Sequence, residues 1–447
     1  MMIDTTQPIE NMKGRIIKSI ISLSLLFAAG ALQAKPLTIT ITQGVESAVP
    51  IAVVPFSVSG GATPSEDISQ IVSNDLERTG QFKSFPVKDM LSKPSDPDNV
   101  KFQNWRILGT ESLVIGQVQK TGADLYDISF WLLDVFQAKQ IVAYKLPATE
   151  KSLRAAAHKI SDIVYQQLTG VKGAFSTRIA YITAEGDFRA KHYTLWVADS
   201  DGANAQEILR SNEPIMSPSW SPDGQRIAYA SLENGGRQKV YIQNWLTTER
   251  EEIKTPLSGL YGAPSWAPSG DKISFTITKN GNADIYTLNL KTQQMRKLTT
   301  HFAIDTESVW TPDGKTIIFT SDRGGRPQLY KVPSDGGQAQ RLTFDGRENL
   351  KAAVSPDGKM IAMVHNSGDG NGYQIATMEL ATGAIQILTE GRLDESPSFA
   401  PNGSMIIYAT TSGRRGELAA VSVDGKIRQS LSSQEDVREP AWSPFNN

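Results

Sequence analysis

The chain has no cysteine. That excludes disulfides, thiol catalysis and thiolate metal sites, and says nothing about compartment. Histidine is nearly as scarce. The four residues His158, His192, His301 and His365 share no metal-ligand spacing, so scattered structural or surface roles are expected. Neither sign of charge dominates: 45 Lys and Arg stand against 47 Asp and Glu, with no basic run, which leaves nucleic-acid binding without electrostatic support. No Gly-x-Ser-x-Gly occurs, so the nucleophile elbow of a propeller-capped peptidase is missing, and with the last repeat at the chain's end no hydrolase domain is expected after it. Gly314-Lys315-Thr316 imitates the end of a phosphate loop, but Val309 stands where the earlier glycine belongs. Asp199-x-Asp201-Gly202 and Gly368-Asp369-Gly370-Asn371-Gly372 hint at Ca2+ loops. The first matches Asp335-Gly336 and Asp424-Gly425 in register and reads as a hairpin turn; the second reads as a loop.

Long apolar runs are missing except at the start. Lys13, Arg15 and Lys18 precede an uncharged stretch over 19–34, which is short for a membrane span. It exits through Ala31-Leu32-Gln33-Ala34. A basic region, a short apolar region and small exit residues make a secretory signal, with cleavage expected after Ala34 and Ala29-Gly30-Ala31 as a competing site. Met12 is an alternative start. No Cys follows that could carry a lipid, so a soluble exported protein is expected.

What is present is a six-fold repeat. Each copy centres on an aromatic or apolar residue before a tight turn: Trp220-SPDG, Trp266-APSG, Trp310-TPDG, Val354-SPDG, Phe399-APNG and Trp442-SPFN. A period of ~40–45 residues belongs to four-stranded propeller blades. The turns suit hairpins, because Pro presets φ, Asp tolerates the next position and Gly closes in the left-handed region. Apolar residues then alternate, as in Arg226-Ile227-Ala228-Tyr229 and Thr316-Ile317-Ile318-Phe319. The fourth strand usually ends in Leu-Thr, at Leu298-Thr299, Leu342-Thr343 and Leu388-Thr389. Pro218, Pro264, Pro397 and Pro440 sit two residues before their centres, which an edge strand bordering a channel accepts. Arg178-Ile179-Ala180-Tyr181 has no centre before it, and Trp442 has no strand after it. Each end lacks what the other carries, so strands from both ends complete the sixth blade.

Residues 47–172 read as a small α/β domain. A buried strand is expected over 50–56. A helix follows, with Thr63 as N-cap, Pro64 first and Glu66 closing a capping box, an apolar face of Ile68, Ile71, Val72 and Leu76, and a stop at Gly80. Three strands come next, over 113–119, 125–134 and 140–146. A last helix over 150–168 buries Leu153, Ala157, Ile160 and Val164. Pro94, Pro97 and the acids around them read as a surface loop. The organisation expected is therefore a signal peptide (1–34), an N-terminal extension (35–46), an α/β domain (47–172) and a six-bladed β-propeller (173–447). The fold class is two-domain, a small N-terminal α/β domain followed by a propeller closed by strands from both ends.

One cluster of side chains stands out. The segments leading into the innermost strands reach one channel mouth, and they carry Asp305, Glu307, Glu348, Asp394, Glu395, Asp436 and Glu439. The first two blades offer Ile215-Met216 and Leu260-Tyr261-Gly262 instead. The mouth is expected to be acidic on one side and apolar on the other, a partner-binding face or plain solvated charge. No cofactor is expected, although carboxylates there leave room for a Ca2+ ion.

The chain resembles the TolB family, periplasmic propellers of the Tol-Pal system of Gram-negative bacteria. The resemblance is carried by Gly44-Val45-Glu46-Ser47, Pro50-Ile51-Ala52-Val53-Val54-Pro55-Phe56, Gly173-Ala174-Phe175-Ser176-Thr177-Arg178, Gly325-Arg326-Pro327-Gln328-Leu329-Tyr330, Leu393-Asp394-Glu395-Ser396-Pro397 and Pro440-Ala441-Trp442-Ser443-Pro444. It implies a non-enzymatic protein of the periplasm that binds the lipoprotein Pal at the channel mouth and TolA through its mature N-terminal extension. It implies roles in outer-membrane integrity and constriction at division, and a mouth that some colicins use by mimicking Pal. Carried over, the Pal face falls on Leu260, Tyr261, Thr306 and Glu307 with the loops beside them, Asp305, Glu348, Asp394, Glu395 and Glu439. The TolA segment is Lys35, Pro36, Leu37, Thr38, Ile39, Thr40, Ile41 and Thr42, whose alternation suits adding a strand to a partner's sheet edge. Two other classes fit a propeller: a lactonase or hydrolase, needing carboxylates or His around a channel metal, and a carbohydrate binder, needing aromatic platforms.

Overall fold

Every blade in the computed structural model is built outward from a bulged innermost strand. The structure describes residues 38–43, 48–61, 63–186, 191–413, 415–432 and 435–445. The expected export signal, Lys35, Pro36 and Leu37 of the extension, and 44–47 lie outside the described residues. No helix among the described residues is long and apolar enough to cross a membrane.

Five blades follow the chain from inside to outside, starting with innermost strands Ile215–Trp220, Leu260–Trp266, Asp305–Trp310, Glu348–Val354 and Glu395–Phe399. The sixth takes its innermost strand from the chain end, Asp436–Trp442, and its other three from Arg178–Glu185, His192–Asp199 and Gln206–Ser211. Ser443 N donates to Arg178 O at 2.8 Å and Arg178 N donates to Ser443 Oγ at 3.0 Å, so the two ends are stitched together at the closure. Trp442 is half-buried where Trp220, Trp266 and Trp310 are buried, and its Nε1 donates to Thr177 Oγ1 at 2.8 Å.

The turns behave as their chemistry dictates. In the first blade Gly224 takes φ 68° and Asp223 Oδ1 accepts from Gln225 N at 3.0 Å. Ser221 Oγ accepts from Arg226 N at 2.9 Å. The Leu-Thr pairs lie just beyond the fourth strands, and there the threonine replaces a ladder partner. Thr299, Thr343 and Thr389 Oγ1 accept from Ile285, Leu329 and Ile375 N at 3.0, 2.9 and 2.9 Å. These threonines are buried, so losing the hydroxyl would orphan a buried N–H, at ~1–3 kcal/mol. Replacing Thr343 by Val should therefore lower stability by about that much in chemical denaturation, and an unchanged midpoint would refute this assignment.

The α/β part holds a sheet ordered Phe82–Ser84, Val49–Val53, Ser112–Lys120, Leu125–Asp134, Lys139–Thr149, with Ser57–Ser59 beside Ser112–Lys120. Helices α1 (Ile68–Arg78) and α3 (Leu153–Thr169) cover one face, burying Val72, Leu76, Leu153, Ile160 and Val164 against Ile51, Val114 and Phe130. A short helix α2 (Phe102–Ile107), absent from the sequence reading, sets Trp105 into the other face against Leu113 and Leu133. Three expectations are corrected. The first strand ends at Val53, before Pro55, which has no N–H for a ladder. The first helix starts at Ile68 with Asp67 as N-cap, whose Oδ1 accepts from Gln70 N at 3.0 Å. The Thr63 capping box does not form. Ser65 N donates to Glu150 Oε1 at 2.8 Å, and Glu66 turns to Arg154 at 3.5 Å. The last helix opens with a 3-10 turn, Glu150–Ser152, before α3.

Candidate functional site

The six innermost strands run side by side along the channel, so all begin at the same mouth. Each contains a bulge in its pairing with the second strand. At each bulge one non-glycine residue is left-handed: Ser217 (φ 54°), Ala263 (46°), Glu307 (55°), Lys351 (47°), Ser396 (57°) and Glu439 (48°). Such a conformation costs ~1–3 kcal/mol and persists only where the surroundings enforce it. The bulge re-aims one side chain per blade. Together the six form a ring around a channel cavity of about 380 Å³.

The ring is ionic. Lys351 Nζ donates to Ser396 Oγ at 2.7 Å and lies 3.6 Å from Glu439 Oε2. Glu439 Oε2 also accepts from Ser217 N at 2.6 Å, tying the sixth blade to the first. Glu307 Oε2 accepts from Thr320 Oγ1 at 2.9 Å, and that hydroxyl accepts from Lys351 N at 3.0 Å. Burial works to lower the Lys351 ammonium's pKa, but the carboxylates of Glu439, Glu307 and Glu395 outweigh it and hold the group above the ordinary lysine range. Lys351 was missing from the sequence reading. Its signal was its offset, three residues before Val354, matching Glu307 before Trp310 and Glu439 before Trp442.

The uniformly acidic side expected of the mouth is not what the structure builds. Asp305 is fully buried, with both oxygens on Arg323 Nη2 at 2.8 and 2.7 Å. Asp394 is buried and accepts from Thr410 Oγ1 at 2.6 Å and from Thr389 Oγ1; burial pushes its carboxyl above the usual range against those donors. Glu348 accepts from Tyr373 Oη and lies 3.7 Å from Arg326 and 3.8 Å from Arg347. Asp436 accepts from Gly416 N at 2.7 Å and pairs with Arg438 at 2.9 Å. These four are occupied by side chains and amides of their own or the adjoining blade. A desolvated carboxylate needs partners, and neighbouring side chains supply them. Glu307, Glu395 and Glu439 are the acids gathered around Lys351.

The exposed apolar residues are not confined to the side expected, where Ile215 is buried. Leu260 is 45% exposed, whereas Tyr261 is buried and bonds through its hydroxyl to Thr255 Oγ1 and Leu257 O. Thr306 is half-buried and bonds Thr276 Oγ1 at 3.3 Å. The loops leading into the third, fourth and fifth innermost strands each present exposed apolar residues: Phe302 at 87%, Ile304 at 49%, Phe344 at 71% and Leu393 at 46%. An apolar rim around a polar centre is the anatomy of an interaction surface. The α/β part lies at the other end of the channel, where Asn402 Nδ2 donates to Lys172 O at 2.9 Å from the turn after Phe399. The mouth is therefore uncovered by it.

The extension does form a strand, Thr38–Gln43, but on this chain's own propeller. It runs antiparallel to Arg428–Ser432 as a fifth strand of the fifth blade, pairing Thr40 with Ser430 and Ile41 with Gln429. The outer edge of a blade is an unpaired ladder, which an alternating segment can complete.

The family model described as the TolB beta propeller domain matches residues 165–446, and the TolB amino-terminal domain matches 37–141. A relative from Thioalkalivibrio sulfidiphilus named "Tol-Pal system protein TolB" is 53% identical, covering 96% of this chain and 98% of its own. One of the same name from Nitrosococcus oceani is 53% identical over 91% and 93%. The crystal structure of TolB from Acinetobacter baumannii superposes with a TM-score of 0.84 at 41% identity, covering 92% of this chain and all of that one.

Proposed function

This chain belongs to the TolB family, and from that premise we propose that it binds Pal at the channel mouth and TolA through its N-terminal extension. Its role in the Tol-Pal system is non-enzymatic. In this reading it works in the periplasm, supports outer-membrane integrity and constriction at division, and offers colicins the same mouth.

The observation that supports the Pal reading best is the rim of Leu260, Phe302, Ile304, Phe344 and Leu393 around the Lys351 ring. Apolar anchors supply affinity, and the charged centre selects a partner with complementary groups. Calorimetry of the mature protein with purified Pal tests this. Replacing Phe302 by Ala should weaken binding by ~1–3 kcal/mol without lowering the melting temperature, because the ring is exposed. No heat of binding with the unaltered protein would end the proposal.

The TolA reading has a consequence at the fifth blade. Thr38–Gln43 cannot add an edge to a partner through the ladder groups it already spends on Arg428–Ser432. TolA must compete with the blade for that edge or use the strand's other side. The chain has no cysteine, so Thr40→Cys with Ser430→Cys gives a single engineered disulfide across a paired position. Oxidation should reduce TolA binding more than tenfold and leave Pal binding intact, with reductant restoring the first. Equal TolA affinity in both redox states would mean that the strand need not leave. Export carries its own check: amino-terminal sequencing of the periplasmic form should read Lys-Pro-Leu-Thr.

A further inference from the structure

A buried charged cluster joins the α/β part to the sixth blade, apart from the mouth and the extension. His158 on α3 is 2% exposed. Its Nδ1 lies 2.7 Å from Asp75 Oδ2 on α1. Its Nε2 has no hydrogen-bond partner and faces Asp201 Oδ2, on the sixth-blade turn, at 3.6 Å. These residues are 83 and 43 positions from His158 in sequence, and three different elements bring them together.

Cations surround the acids. From α1, Arg78 reaches Asp75 at 3.3 Å and donates to Ser200 O at 3.0 Å and Ser200 Oγ at 2.9 Å. From α3, Arg154 pairs with Asp201, with Asp199 at 3.7 Å and with Glu66 at 3.5 Å. From the sixth blade, Arg178 pairs with Asp199 at 2.6 Å. Asp162, also on α3, is satisfied by Phe175 N and Ser176 N, and burial pushes its carboxyl upward. Glu66, Asp75, Asp199 and Asp201 thus face three guanidiniums, and an imidazolium at His158 supplies the fourth positive charge.

We propose that protonated His158 is the keystone of a pH-sensitive clasp between the α/β part and the sixth blade, and that losing its proton opens the clasp on that side. A neutral ring can donate from one nitrogen only, so one of Asp75 and Asp201 would face a lone pair. Burial works to lower the histidine's pKa, but the Asp75 and Asp201 carboxylates outweigh it and hold the ring above the ordinary imidazole range. Burial likewise opposes ionisation of Asp201, yet Arg78, His158 and Arg154 keep it below the usual carboxylate range. The sign follows from linkage. A group whose folded pKa is raised contributes fully below the unfolded value of about 6.5, and the contribution is lost as pH rises through the higher folded value. The clasp is tight in mild acid and loosens in alkali. A divalent cation on the same side chains would have to displace Arg154 from Asp201, and the cluster is balanced without it. Opening is one-sided, because the fifth-blade contacts do not titrate: Gln429 Nε2 donates to Arg78 O, and Asn402 Nδ2 to Lys172 O.

Hydrogen exchange reads this directly. Ser200 N donates to Thr177 O at 3.0 Å and Gly202 N to Asp199 O at 2.8 Å, so amides in the turn report the clasp. Protection factors, corrected for the intrinsic pH dependence, should be measured between pH 5.5 and 9. In the unaltered protein the turn should lose about tenfold or more of its protection as pH rises, while Leu260–Trp266 stays constant. His158→Gln should show the low protection at every pH. A pH-independent turn in the unaltered protein, or an undiminished step in His158→Gln, would overturn the proposal. Should His158→Gln not fold, Asp201→Asn decides. Removing that carboxylate must shift the step to lower pH, and an unmoved midpoint refutes the clasp.

Discussion

Deleting residues 440–447 will lower the melting temperature by roughly 12–24 °C. The deletion removes residues 440–442 of the strand Asp436–Trp442, which is the innermost strand of a blade whose other three come from the far end of the chain. It takes away Trp442, with its Nε1 bond to Thr177 and its backbone bond to Ser398 Oγ at 2.9 Å. It also removes both closure bonds between Ser443 and Arg178. A buried Trp costs ~3–5 kcal/mol to lose, and a half-buried one less. Each lost hydrogen bond adds about 1 kcal/mol. The four bonds and the half-buried ring together come to about 6 kcal/mol, which at ~2–4 °C per kcal/mol for a domain of this size sets the expected shift. Calorimetry on the truncated protein checks it, and an unchanged melting temperature would contradict closure by both ends.

Glu307→Ala is expected to weaken Pal binding about 30- to several-thousand-fold. Glu307 is a member of the ring, three residues before Trp310, and shares the channel with Lys351. Truncating one partner of a desolvated charged contact costs ~2–5 kcal/mol, and each 1.4 kcal/mol is tenfold. The variant also leaves the Lys351 ammonium with one fewer carboxylate, so the ring becomes less negative and less welcoming to a basic group. Glu307→Gln separates the two effects: it keeps an acceptor for Thr320 Oγ1 and loses only the charge. The control is Glu249→Ala, an exposed residue in an outer turn of the first blade, at the end of the channel away from the mouth. If Glu307→Ala binds Pal as the unaltered protein does, the ring serves only to hold the channel together.

The candidate site was legible in part. The loops that lead into the innermost strands were readable because the repeat places them. The roles of the acids in them were not. Asp305 and Asp394 look like Glu307 in sequence, yet Arg323 consumes the first inside its blade and the pair Thr389 and Thr410, from two adjoining blades, consumes the second. Lys351 went unread because only the bulge turns it into the channel. Phe302 and Phe344 carried no signal in the repeat pattern, and it is the loops of the folded chain that hold them outside.

What the sequence determined by itself is what local rules decide: the period of the repeat, the hairpin turns with left-handed glycines, the alternation of each strand, and the two incomplete ends that must find each other. The turns and the alternation depend on residues a few positions apart, where backbone sterics and period-two burial leave one solution; the period and the incomplete ends were readable because each blade repeats the same local pattern. The misplaced start of α1 was not local: Asp67 caps in place of Thr63 because Ser65 and Glu66 are drawn to Glu150 and Arg154, more than eighty residues away. Only the tertiary structure decided which edge Thr38–Gln43 would complete, because an alternating strand fits any open ladder. It alone made a ring from Ser217, Glu307, Lys351 and Glu439, and a joint from Asp75, His158 and Asp201. Charges so far apart in sequence have no local energy in common. They interact only when the fold takes them out of water and within a few ångströms of one another.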